Sequence, residues 1–119
     1  MSAGHTITTT PSTVHVEVRL GDEVLASSDR PVLLDETGLP TRYYLPKDDV
    51  RMELLTATSF HTTCPFKGEA SYWSIELDGG SHDGLVWAYE DPIPAAAEIA
   101  GHLSFYPERV ELTVDGQPT

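Results

Sequence analysis

The stretch from His61 to Trp73, HTTCPFKGEASYW, holds the only cysteine of the chain, one of five histidines, one of two lysines and one of two tryptophans. A cysteine attacks as the thiolate, and a neighbouring base or cation is what lowers its pKa. His61 lies three residues before Cys64 and Lys67 three residues after it, so a loop folded back on itself would bring either one to the sulfur. The catalytic candidates are therefore His61, Cys64, Lys67 and His102. His61 or His102 would act as general base, Lys67 as electrostatic stabiliser and Cys64 as nucleophile. The simpler reading of Cys64 is a buried thiol packing as a small hydrophobe. The spacing of His61 and Cys64 would also let both reach one metal ion. A structural zinc needs four ligands, usually with paired cysteines, and the remainder would have to come from His82, His102 or scattered carboxylates. A metal ranks last, and no metal or cofactor is assigned.

A second constellation is aromatic. Trp73 on one probable strand and Trp87 and Tyr89 on the next face one another across a hairpin, with Tyr72 on the opposite side of the first arm. Facing aromatics across strands usually build core, but they also wall small-molecule pockets in which a few polar groups set orientation. Tyr72, Trp73, Trp87, Tyr89 and Thr63 are the ligand-contact candidates. Nucleotidyl transfer, which the Gly-Ser turn and acid of GGSHDG would suggest, needs carboxylates placed to hold metal ions. Asp83 has no second acid two residues on, and a hairpin turn accounts for the segment.

The elements that position these residues are mostly strands. VHVEVRL alternates strictly from Val14 to Leu20, the pattern of a half-buried strand. Gly21 suits the first central position of a hairpin turn to EVLASS, because that position takes a positive φ. PVLLDE and TRYYLP form a second hairpin around TGLP, and KDDV is a short turn. SYWSIELDGGSHDGLVWAYED is the clearest hairpin. Its first arm places Trp73, Ile75 and Leu77 on one face, and its second Leu85, Trp87 and Tyr89. AAAEIAGHL is the one predicted helix, capped by Asp91 and opened by Pro92 or Pro94, with Ile99 and Leu103 four apart. RVELTV closes the chain as a strand. The prediction is one mainly β domain over 14–114, between a flexible lead at 1–13 and a tail at 115–119. The lead lacks the basic start and apolar run of a secretory signal.

Composition bounds the partners. Nineteen acids against seven basic residues give a formal charge of −12 in 119 residues. Nucleic-acid binding needs Lys and Arg to displace counterions, and the same field repels anionic membranes, so neither is expected as a partner. No apolar run approaches the roughly 20 residues of a spanning helix. One cysteine forms no internal disulfide, in keeping with a reducing compartment, so the cytoplasm is the expected location. The expected partner is an unidentified small molecule.

Taken in order, YYLPKDDVRMELL, HTTCPFKGEASYW and VWAYEDPIPAAAEIAGHLSFYPERV resemble the family catalogued as domain of unknown function 427, over about Val14 to Val114. The joint pattern His-x-Thr-x-Cys-Pro-x-Lys-Gly, Tyr-Trp, Trp-x-Tyr and Phe-Tyr-Pro carries the resemblance. It implies the β-tent fold, two antiparallel sheets meeting at an angle with one short helix, as in the thalidomide-binding domain of cereblon, Yippee proteins and B-type methionine sulfoxide reductases. Zinc-holding β-tents use two Cys-x-x-Cys pairs, which this chain lacks. By analogy with the cyclic-imide cage of cereblon-like domains, Trp73, Trp87 and Tyr89 would line an aromatic cage. Phe66 and His102 stand where the family pattern implies tyrosines.

Overall fold

The computed structural model describes residues 6–77 and 80–118. Among them eleven strands form three antiparallel sheets. The N-terminal sheet has the order β1-β4-β5, built from β1 Ile7–Pro11, β4 Val32–Glu36 and β5 Arg42–Tyr44. The outer sheet has the order β11-β10-β2-β3, built from β2 Val16–Leu20, β3 Glu23–Ser28, β10 Glu111–Val114 and β11 Gln117–Pro118. The central sheet is a meander, β6-β7-β8-β9, from β6 Leu55–Cys64, β7 Gly68–Leu77, β8 Gly80–Ala88 and β9 Leu103–Phe105.

Three sheets replace the two implied by the resemblance, because the strands close separate ladders, with isolated bridges outside them. One bridge pairs Leu45 with Leu103 between the N-terminal and central sheets, each N–H donating to the other's carbonyl at 2.8 Å. The other pairs Ala26 with Val50. The expected mainly β class holds, and no described helix is long and apolar enough to cross a membrane.

Strands β7 and β8 of the central sheet bury side chains on both faces, whereas β6 is largely exposed. On one side Val16, Val18, Leu25 and Ala26 of the outer sheet pack against Trp73, Ile75, Leu85 and Val86. On the other side Val32, Leu34 and Tyr44 of the N-terminal sheet pack with Ala70, Trp87 and Tyr89, closed by Ala96 and Ile99. Side chains alternate along a strand, so neighbours on β8 serve different cores: Val86 and Ala88 the first, Trp87 the second.

Three local expectations change. Residues 7–11 are strand β1, registered on β4 from Ile7–Glu36 to Pro11–Val32; an exposed Thr-rich segment with one inward Ile7 makes an ordinary edge strand rather than a loose lead. At the other end, Asp115 at φ 50° and Gly116 at φ 82° form a tight turn that pairs β11 with β10, the Asp-Gly hairpin chemistry. The predicted helix is a 3₁₀ segment, Pro94–Ile99, preceded by Ile93 and interrupted at Ala96 (φ −118°, ψ 23°). Its buried residues, Ala96 and Ile99, are three apart, the 3₁₀ period. Leu103, which the helical spacing counted on the same face, belongs to β9.

Candidate functional site

The turn Cys64-Pro65-Phe66-Lys67 connects β6 to β7, with the Lys67 N–H donating to the Cys64 carbonyl at 3.1 Å. Proline at the second position suits such a turn because its φ is already set. Gly68 follows at φ 118°. A Cβ there would stand 3.4 Å from the Pro92 Cα and 3.5 Å from the Asp91 carbonyl oxygen, at ordinary contact distance, so it is the backbone angle that calls for glycine. The Ile93 N–H donates to the Lys67 carbonyl at 2.9 Å, which ties that segment to the turn.

Held this way, Lys67 reaches across to the N-terminal sheet. Its ammonium meets Glu36 Oε1 at 2.6 Å, with side chains only 12% and 7% exposed. Glu36 is the last inward position of the alternation Val32, Leu34, Glu36 on β4. Lys67 Nζ also lies 5.7 Å from the centre of the Tyr89 ring, within cation–π range.

Above this pair is a cavity of about 180 Å³ between the two sheets. The N-terminal sheet contributes Leu34, Arg42 and Tyr44 and the β4–β5 connection Leu39 and Pro40; the central side contributes Tyr72, Trp87, Tyr89 and Tyr106. Leu34 is registered on Arg42 and Val32 on Tyr44, so these side chains share one face. The Trp87 indole N–H donates to the Tyr44 hydroxyl at 3.0 Å, their rings meeting edge to face at 6.2 Å. Tyr106 lies against Trp87 with ring centres 4.4 Å apart, and the Arg42 guanidinium sits 5.5 Å from the Trp87 ring centre. Tyr72 is held from behind by Thr62, whose hydroxyl is 2.9 Å from the phenol oxygen.

Burial sets the protonation of the phenols. It pushes Tyr44 up to about 12, opposed by the Trp87 hydrogen bond and the Arg42 charge. Tyr89 is raised by burial first and then by its neighbours Tyr44, Cys64, Tyr72 and Glu36. Tyr106 is raised by burial and by Tyr72. At neutral pH all three are neutral hydrogen-bond donors, since a buried phenolate is disfavoured.

The residues singled out in the sequence separate into three groups. Lys67, Tyr72, Trp87 and Tyr89 line the cavity. Cys64 is half-buried against the same core. Trp73 does not join them. It is registered on Val86, whereas Trp87 is registered on Tyr72, so the two indoles lie on opposite faces, and Trp73 packs in the core shared with the outer sheet. The hairpin register sets odd positions of β7 against even positions of β8, Ile75 on His82 as well as Trp73 on Val86, and alternation within each strand does not fix that register. His61 and Thr63 alternate with Thr62 and Cys64 on β6 and are exposed on its far side, His61 Nδ1 lying 3.5 Å from Ser71 Oγ. His102 caps its own turn through Nδ1 at 3.0 Å from the Ala100 carbonyl and lines none of this cavity. The four catalytic candidates thus do not share one site. Among the described residues no three His, Cys, Asp or Glu side chains are grouped to hold a metal ion.

Sequence reasoning missed Glu36, Arg42 and Tyr44 as site residues. The signal was present in VLLDE and RYY: an acid and a base at inward-facing positions of two paired strands.

A family model described as a domain of unknown function, DUF427, matches residues 8–116. Comparison with curated proteins gave no match.

Proposed function

The chain belongs to this family of unknown function, and on that premise we propose that it is a small-molecule-binding protein whose ligand enters the cavity between the N-terminal and central sheets. The observation that carries the reading is the buried Lys67–Glu36 pair set in an otherwise aromatic wall. Ligand sites combine such apolar surfaces with a few fixed polar groups. Two buried charges cost desolvation free energy that a hydrophobic pair would not, and the position of this pair in a cavity wall gives that cost a functional rationale. The β-tent remains the fold class we favour, supported by the meeting of two sheets along the Leu45–Leu103 seam. A single cysteine suits a reducing cytoplasm.

A cofactor-independent enzyme finds less support, because His61 and His102 lie away from Lys67 and the phenols.

The test uses the two indoles as separate reporters. Titrating a fragment panel into Trp73→Phe should still change the fluorescence of Trp87 and raise the melting temperature, since a ligand of the folded state stabilises by mass action. Trp87→Phe should lose both responses while remaining folded. Equal responses in both variants would place binding elsewhere.

A further inference from the structure

The cavity wall is richer in donors than its aromatic lining suggests. Tyr89 is only 6% exposed, and its hydroxyl has no hydrogen-bond partner among the described residues. Tyr44, at 1% exposure, accepts from the Trp87 indole, and its own hydroxyl proton has no acceptor among the described residues. Arg42 stacks on Trp87 and pairs with no carboxylate among the described residues. Among the described residues no buried side-chain polar atom lacks a partner, so these donors open onto the cavity they line, where two phenol hydroxyls with protons to give, beside a guanidinium, can serve an acceptor from outside the chain. Among the described residues the charged side chains on the wall are Arg42, Lys67 and Glu36, two positive and one negative, which balance a single negative charge. A doubly charged phosphate would be left in excess and would face Glu36. A cavity of about 180 Å³ is close to the roughly 150 Å³ that holds one benzene ring.

We infer that the ligand is a monoanionic single-ring carboxylate, aromatic or heteroaromatic, with its ring against Trp87 and Tyr106 and its carboxylate on Arg42 and the Tyr89 hydroxyl. This rests on the cavity being the binding site. Guanidinium and carboxylate match as planar, two-pronged partners, and the stacking of Arg42 on Trp87 orders that fork before the ligand arrives. The overall charge of −12 opposes the approach of an anion, but exposed charges beyond about 8 Å are screened at physiological salt.

The experiment compares benzoate, benzamide, benzylamine and acetate on the full chain, by calorimetric titration and by Trp87 emission in the Trp73→Phe protein. Benzoate should bind at least about tenfold more tightly than benzamide, since a charge-assisted hydrogen bond is roughly twice as strong as one between neutral groups, and benzylamine and acetate should not saturate. Arg42→Lys keeps the charge but loses the fork, and should weaken benzoate by about tenfold. Tyr89→Phe should weaken it less and leave the fold intact. Benzamide or benzylamine binding as tightly as benzoate would overturn the carboxylate and leave the cavity as the binding site. Benzoate binding unchanged in both Arg42→Lys and Tyr89→Phe would overturn the assigned contacts. No saturation by any of the four, with Trp87 emission unmoved, would overturn both this inference and the binding reading beneath it. Should Arg42→Lys fail to fold, the ranking of the four probes on the native chain decides.

Discussion

Lys67 and Glu36 meet at 2.6 Å with little solvent access, so truncating either one breaks a buried ion pair. Lys67→Met should destabilise the protein by about 3 kcal/mol, within the range for breaking buried pairs, and the double change Lys67→Met with Glu36→Gln should recover part of that loss. Urea unfolding of the three proteins checks the order. The phenols give a pH dependence at the opposite end of the scale. Tyr44 keeps its proton in the folded state up to about 12, while an unfolded tyrosine loses it near about 10. Between those values the unfolded chain binds fewer protons than the folded one, so stability falls as pH rises. Its contribution is complete below about pH 10 and lost through about 12. Tyrosinate absorbance followed alongside unfolding should show Tyr44→Phe with a shallower alkaline loss than wild type.

At the scale of elements, the β6–β7 turn is what aims Lys67. Gly68→Ala places a side chain at a positive φ, and a strained backbone of this kind costs about 1–3 kcal/mol. The variant should melt lower and bind the fragment more weakly than its stability loss alone explains. Titration well below its melting temperature would show a normal affinity if the turn had no positioning role. Much of this layer was legible in the chain. Alternation located β2, β4, β7 and β8, and Gly21 and Gly38, both at positive φ, turn the two hairpins where turn chemistry put them. What stayed hidden depended on tertiary register. Trp73 and Trp87 were read as face-to-face because facing depends on the pairing register, which sets Trp73 on Val86 and which alternation within each strand does not fix, and the alanines after Pro94 are helix-permissive until Ala96 and Ile99 must point into one core. The turn assigned to Asp78–Gly84 is shorter than expected: β8 begins at Gly80, and Asp78 and Gly79 lie outside the described residues. Glu36 was overlooked because an inward acid contradicts the rule by which strands are read, which is also what makes it informative.

For the molecule as a whole, the N-terminal sheet carries one side of the cavity yet joins the central sheet by a single backbone bridge, at Leu45 and Leu103. It should be the least stable layer, since opening free energy follows local contacts. Amide hydrogen exchange is expected to be faster in β1, β4 and β5 than in β7 and β8, and a bound fragment should slow β4 and β5 most. Equal exchange in the two layers would contradict this. Truncation to residue 12 removes β1, which covers one edge of β4, and should lower the melting temperature rather than leave it unchanged, as removal of a loose lead would.

The opposite burial of adjacent residues on the central sheet has a consequence for how such a protein can diversify. Tyr72 and Trp87 face the cavity while Trp73 and Val86, their immediate neighbours in the chain, face the other core. Substitutions at the second pair alter how firmly the protein folds without lining the cavity, whereas those at the first pair alter the ligand a descendant accepts and, because Trp87 is also core and donates to Tyr44, its stability as well. A mutational library confined to the Trp73 and Val86 face should therefore vary stability under a constant specificity, while one on the cavity face should change specificity and stability together.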